Sequence, residues 1–123
     1  MKNNVVIYTD GACKGNPGEG GWGAVIEFEE STKKLYGYEN NTTNNRMEIT
    51  AAINAIKSLK IKSNVVIHTD SKYLMNGIND WINNWKNNNW KTSTKKDVKN
   101  VDLWNAIDDL SSEHTIKWNW VKG

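Results

Sequence analysis

Val6-Ile7-Tyr8-Thr9-Asp10 (VIYTD) and Val66-Ile67-His68-Thr69-Asp70 (VIHTD) are nearly the same pentapeptide, differing only at the third position. Each closes a β-branched run, Val5 to Asp10 and Val65 to Asp70, that reads as a buried strand. Between them, Trp22 to Phe28 and Lys34 to Tyr38 read as two further strands joined by EESTK, and GACKGNPGEGG (11–21) reads as loop. The first three strands therefore form an antiparallel meander. Thr43 to Lys60 is helical, with Thr43 as cap and Ile49, Ala52, Ile53, Ile56 and Leu59 at helical spacing. Two like strands separated by a meander and a helix are most simply parallel neighbours in one sheet. Asp10 and Asp70 then leave the sheet at the same carboxyl edge, where ligands bind in open α/β sheets.

Downstream, Ser71 to Lys86 reads as a helix interrupted near Gly77, and Asn87 to Lys99 as a polar loop. Asn100 caps a last helix to about Ser112, with Val101, Trp104, Ile107 and Leu110 on one side. A final strand, Thr115 to Val121, puts Ile116, Trp118 and Trp120 on one face.

Glu48 shares a helix face with Ala52, Ala55 and Leu59, so it heads a stripe that packs on the sheet and points toward the strand ends. Asp10, Glu48 and Asp70 can thus converge, and three anions at close range repel unless protonated or neutralised. Mg²⁺ suits them, since it takes oxygen ligands and keeps waters for a phosphate-bearing substrate. A pair of such ions activates a water and stabilises the leaving oxygen in phosphodiester cleavage. Singly each acid also has a plain structural reading: Asp10-Gly11 as a turn, Asp70-Ser71 as a helix cap, and Asn45-Arg46-Met47-Glu48 as a capping box. The repeated strand and the inward-facing Glu48 favour the joint reading.

A chain of 123 residues fits one domain, and 37% apolar residues with no run near the roughly 18 needed for a span exclude a helical membrane protein. The start MKNNVVIYTD lacks the pattern of a secretory signal, and the lone Cys13 forms neither an internal disulfide nor a CxxC site, so a cytoplasmic location is expected. The net charge of +2 is uneven: residues 81–100 carry five lysines against Asp97, which leaves +4 there and −2 elsewhere. Seven tryptophans stand beside one phenylalanine, and Trp81, Trp85, Trp90 and Trp104 lie in or just past this basic stretch. Trp85, Trp104, Trp118 and Trp120 are expected to pack in the core or an interface, and Trp81 to face the surface.

TDGACKGNPGEGGWG, TTNNRMEITAAI, HTDSKYLMNGI, W-x₃-W-x₄-WKT, KNVDLW and IKWNWVKG together resemble, in order, the bacterial type 1 ribonuclease H family, over almost all of the chain. The resemblance implies an α/β RNase H-like fold, a five-stranded mixed sheet flanked by helices, in a single domain over 1–123. It further implies endonucleolytic, metal-dependent hydrolysis of the RNA strand of RNA–DNA hybrids, leaving 5′-phosphate and 3′-OH ends. Asp10, Glu48 and Asp70 match metal-binding, catalytic acids for two Mg²⁺ ions, with Mn²⁺ as a substitute. Cys13, Asn16, Asn44 and Asn45 match RNA-contacting positions, where the 2′-OH identifies the strand. The glycines at 11, 15, 18, 20 and 21 let main chain approach a sugar-phosphate. Thr43 and Asn100 match a DNA phosphate pocket, and Tyr73 and Trp81 match aromatics bordering the DNA channel. Lys86, Lys91, Lys95, Lys96 and Lys99 match a basic protrusion that adds substrate affinity. Asn41 and Asn87 to Asn89 stand where relatives often carry basic residues, which implies a weaker grip.

The family pattern continues past WVKG into a His-bearing loop, a fourth acid and a final helix, none of which follows here. His68 and His114 do not match that histidine and read as structural. Two alternatives to a self-sufficient nuclease stay open on these residues: a catalytically weak or inactive hybrid-binding domain, or a fragment completed by a separate C-terminal segment. Homodimerisation over Trp118 and Trp120 is a further expectation. An integrase-type nuclease is disfavoured by the TTNNRME and WKT signatures.

Overall fold

The computed structural model describes residues 3–15, 17–91 and 98–122. Five strands form one sheet: β1 (Asn3–Cys13), β2 (Gly18–Glu27), β3 (Thr32–Thr42), β4 (Ser63–Thr69) and β5 (Thr115–Trp120), in the order β3-β2-β1-β4-β5. β1, β2 and β3 are the expected antiparallel meander, and β4 and β5 add parallel to β1. The repeated pentapeptides are neighbours, in register from Asn3↔Ser63 to Tyr8↔His68. Their ladder stops two residues before Asp10 and Asp70, so the two acids flank the opening between the strand ends.

The glycine-rich segment is not all loop. β1 and β2 run on through it to Cys13 and from Gly18, with Cys13 paired to Gly20. Its alternation is invisible because glycines carry no apolar side chain to reveal a strand. Asn16 lies outside the described residues.

α1 (Asn44–Lys57) starts where Thr43 accepts a hydrogen bond from the Arg46 amide at 3.2 Å. Its inner face, Glu48, Ala52, Ala55 and Ile56, is buried together with Ile7, Ile26 and Ile67 from the sheet. α2 (Lys72–Asn76) and α3 (Ile82–Asn87) are joined by a π-helical turn at Gly77–Trp81, the interruption expected at Gly77. Packing admits no side chain at that point: a Cβ on Gly77 would strike the ring of Trp104. Trp104 is fully buried in α4 (Val101–Ser111) and lies against Tyr73 at 5.5 Å and Trp85 at 5.6 Å. Trp81 meets Tyr73 and Trp85, and Trp90 meets Trp85. Five aromatic rings thus form one continuous cluster where a phenylalanine core is missing, and aromatic contacts of this kind add roughly 0.5–1.5 kcal/mol per pair beyond burial.

Two expectations are corrected. Asn100 does not cap α4 with its side chain: it sits at φ 60° and makes no cap hydrogen bond, its amide being engaged elsewhere. Trp120 is not core, being 41% exposed, whereas Ile116 and Trp118 pack against the core of their own chain. Trp120 pairs with Thr69, the last residue of β4, and its ring lies beside the Lys72 ammonium at the start of α2. His68 stacks on Tyr8 at 4.9 Å, and His114 accepts the Ser63 amide at 3.1 Å, both structural positions. Among the described residues no helix is long and apolar enough to cross a membrane.

Candidate active site

Asp10 sits in β1, Asp70 in the link from β4 to α2, and Glu48 in the second turn of α1. The structure brings the three together: one carboxylate oxygen from each lies within 4.8 Å of the other two. Asp10 and Asp70 are exposed, while Glu48 is buried with 4% of its surface accessible.

Among the described residues one donor holds Glu48. The Gly11 amide donates to its Oε1 at 2.6 Å and also to Asp10 Oδ1 at 3.0 Å. Its Oε2 is buried with no hydrogen-bond partner among the described residues. Burial pushes the Glu48 carboxyl up to about 7, the Gly11 amide acting the other way and the charges of Asp70 and Asp10 adding to the rise. A buried carboxylate oxygen without a donor, beside two further carboxylates, fits a hard cation with oxygen ligands. Asp10, Glu48 and Asp70 are the residues that would hold it.

Gly11 explains why α1 can sit so close. A Cβ there would lie 2.6 Å from the Glu48 nitrogen and the Met47 carbonyl carbon, closer than real Cβ atoms come. This glycine therefore serves close helix–strand contact.

The acids line a pocket of about 380 Å³ whose walls include Asn44, Asn45, Lys72 and Tyr73. Cys13 is half-buried outside it, and its thiol donates to the Thr42 carbonyl at 3.4 Å. Thr43 spends its hydroxyl on the α1 cap. Asn100 lies nearer the pocket than its place in the chain implies: its Nδ2 donates to the Tyr73 hydroxyl at 3.1 Å and its Oδ1 accepts from Arg46 at 3.1 Å. Arg46 also grips Asp102 with two hydrogen bonds, 2.9 and 3.1 Å, which raises the arginine pKa and lowers that of Asp102. Trp81 is half-buried against Tyr73. Of the basic segment, Lys86 pairs with Asp108 at 3.0 Å, Lys91 and Lys99 are exposed, and Lys95 and Lys96 lie outside the described residues.

Sequence reasoning missed Arg46, Asp102 and Lys72. Arg46 stood inside TTNNRME and Lys72 two residues past Asp70, but 54 and 56 residues separate Arg46 from its partners, and only the fold joins them.

The chain is similar to known proteins over almost all of its length. The family model RNase H matches residues 2–123. Ribonuclease H of Francisella tularensis subsp. novicida (strain U112) is 58% identical over 122 residues, 99% of this chain and 80% of the relative. The structure of LC9-RNase H1, "a type 1 RNase H with the type 2 active-site motif", superposes with a TM-score of 0.89 at 28% identity, covering 100% of this chain and 64% of that one. LC11-RNase H1 in complex with RNA/DNA hybrid shares the fold at TM-score 0.73 and 24% identity, over 96% of this chain and 85% of the other. With a family match over residues 2–123 and a relative that is 58% identical and covered to 80% of its length, this chain belongs to the RNase H family.

Proposed function

We propose that the chain hydrolyses the RNA strand of RNA–DNA hybrids endonucleolytically, with two divalent cations, Mg²⁺ or Mn²⁺, leaving 5′-phosphate and 3′-OH ends. The observation that carries this is the Asp10, Glu48 and Asp70 cluster with its orphaned Glu48 Oε2. Bound there, the cations would supply Lewis acidity toward the phosphodiester and an activated water.

The remaining work falls to the chain itself. The Gly11 amide holds Glu48 Oε1, while the buried Oε2 has no donor among the described residues. Asn44 and Asn45, on the pocket wall, offer amides of the type that contact RNA 2′-hydroxyls. Cys13 has its thiol turned to the Thr42 carbonyl, so it meets substrate through its main chain. Tyr73, Asn100 and Trp81 form a rigid polar and aromatic border for the DNA strand, held from behind by Arg46. Lys86, Lys91 and Lys99 add charge that attracts phosphates without reading sequence. The cytoplasm is the compartment in which this activity is expected, as the lone Cys13 suggests.

The test is cleavage of an end-labelled RNA–DNA hybrid with Mg²⁺ or Mn²⁺, with Asp10→Asn as control. Cleavage by wild type alone supports the reading. Wild type as inert as Asp10→Asn, yet still binding the hybrid, refutes hydrolysis by this chain alone and leaves the hybrid-binding domain. Activity recovered on adding the C-terminal segment of a relative then identifies a split enzyme, and light scattering decides between monomer and homodimer.

A further inference from the structure

The pocket wall carries three acids and, among the described residues, one cation, Lys72. Its ammonium makes no salt bridge to Asp10, Glu48 or Asp70, whose charges lie close by. It rests instead over the indole of Trp120, 5.3 Å from the ring centroid, within the range of a cation–π contact. That indole is itself tethered, its Nε1 donating to the Asp70 carbonyl at 3.1 Å. The next amide, Val121, donates to the Thr69 carbonyl at 2.9 Å, so the end of β5 is pinned along the segment that carries Asp70.

This arrangement also accounts for Trp120 lying 41% exposed, which its apolar bulk does not favour. A phosphodiester entering a pocket of three carboxylates meets like charge and needs a nearby cation that the acids have not already consumed. Lys72 is such a cation. An ammonium laid on an aromatic face keeps donors free for a phosphate, whereas one in a carboxylate salt bridge would have to exchange partners.

We propose that Lys72 is a substrate-phosphate contact at the mouth of the acidic pocket and that Trp120 is the positioning residue that holds it there. The inference deepens the proposed function and rests on it.

The test is fluorescence anisotropy of a labelled RNA–DNA hybrid with EDTA present, over a series of salt concentrations, for wild type, Lys72→Met, Lys72→Arg, Trp120→Leu and the Lys72→Met/Trp120→Leu double variant. Lys72 is exposed, so Lys72→Met keeps the fold and the stem. Lys72→Met should weaken binding about three- to tenfold and lower the salt slope by about one, and Lys72→Arg should restore both. Trp120→Leu should lose a similar factor, and the double variant should lose little more than either alone, since both changes remove one interaction. Wild-type affinity and slope in Lys72→Met, or fully additive losses in the double variant, overturn this inference alone. A wild type that does not bind the hybrid overturns the proposed function and this inference together.

Discussion

Gly11 and Glu48 touch twice: the Gly11 amide donates to the Glu48 carboxylate at 2.6 Å, and the Gly11 α-carbon leaves no room for a side chain beside the Glu48 main chain. One residue therefore sets both the distance of α1 from β1 and the orientation of the buried acid. Gly11→Ala should force the helix outward and cost about 1–3 kcal/mol, the usual range for overpacking. Urea unfolding measures the loss, and calorimetric Mn²⁺ titration should show weaker binding. Unaltered values in both would contradict the geometry.

Glu48 titrates near 7 in the fold against about 4.5 for an ordinary glutamate, so between those values the folded, metal-free chain holds a proton that the unfolded chain has lost. Stability therefore falls as pH rises through that window, by at most about 3.5 kcal/mol at about 1.4 kcal/mol per unit. Glu48→Gln should flatten the dependence, and a saturating divalent cation should raise stability most above pH 7. Chemical denaturation in EDTA across pH 4 to 8 checks it, and a slope unchanged in Glu48→Gln would overturn it.

Arg46 is joined to Asp102 at the surface, where ion pairs contribute about 0–1 kcal/mol. Its hydrogen bond to Asn100 matters more for ligand than for stability, because it orients the amide that also meets Tyr73. Arg46→Ala should lower stability by no more than about 1 kcal/mol yet weaken hybrid binding about three- to tenfold. Arg46→Lys should rescue only part of that, since an ammonium lacks the planar fork that spans Asn100 and Asp102. Unfolding and anisotropy on the same samples separate the two effects.

Lys86 is compensated by Asp108 at 3.0 Å, whereas Lys99 is an exposed cation. Lys99→Ala should lower the salt slope of hybrid binding by about one and Lys86→Ala by clearly less, without changing sequence preference. Adding Lys91→Ala, Lys95→Ala and Lys96→Ala should deepen the loss. Equal slopes in wild type and the multiple variant would remove the basic segment from the interface.

Gly77→Ala drives a methyl into the buried ring of Trp104 and should cost about 3 kcal/mol or more, since both the π-helical turn and the aromatic cluster must shift. Thermal unfolding and near-ultraviolet dichroism of the tryptophans report it. A native-like dichroism spectrum and melting temperature would show that the turn tolerates the methyl.

The sequence by itself determined the sheet and the three acids. VIYTD and VIHTD each close a continuous β-branched run with an Asp, and helical spacing from Ala52, Ala55 and Leu59 places Glu48 inward. These are local periodicities, so they are legible one residue at a time. Only the tertiary structure decided what lies between distant segments: Gly11 beneath α1, Arg46 between Asn100 and Asp102, and Trp120 outside the core with Lys72 on its face. An alternating pattern assigns Trp120 to the inner face but does not reveal that β4 ends at Thr69, the residue it pairs with. Likewise Asn100 has the residue type of a helix cap, and its amide goes instead to partners contributed by α1 and α2. Side-chain direction follows from the period of an element, whereas the partner a side chain meets depends on how elements far apart in the chain are packed.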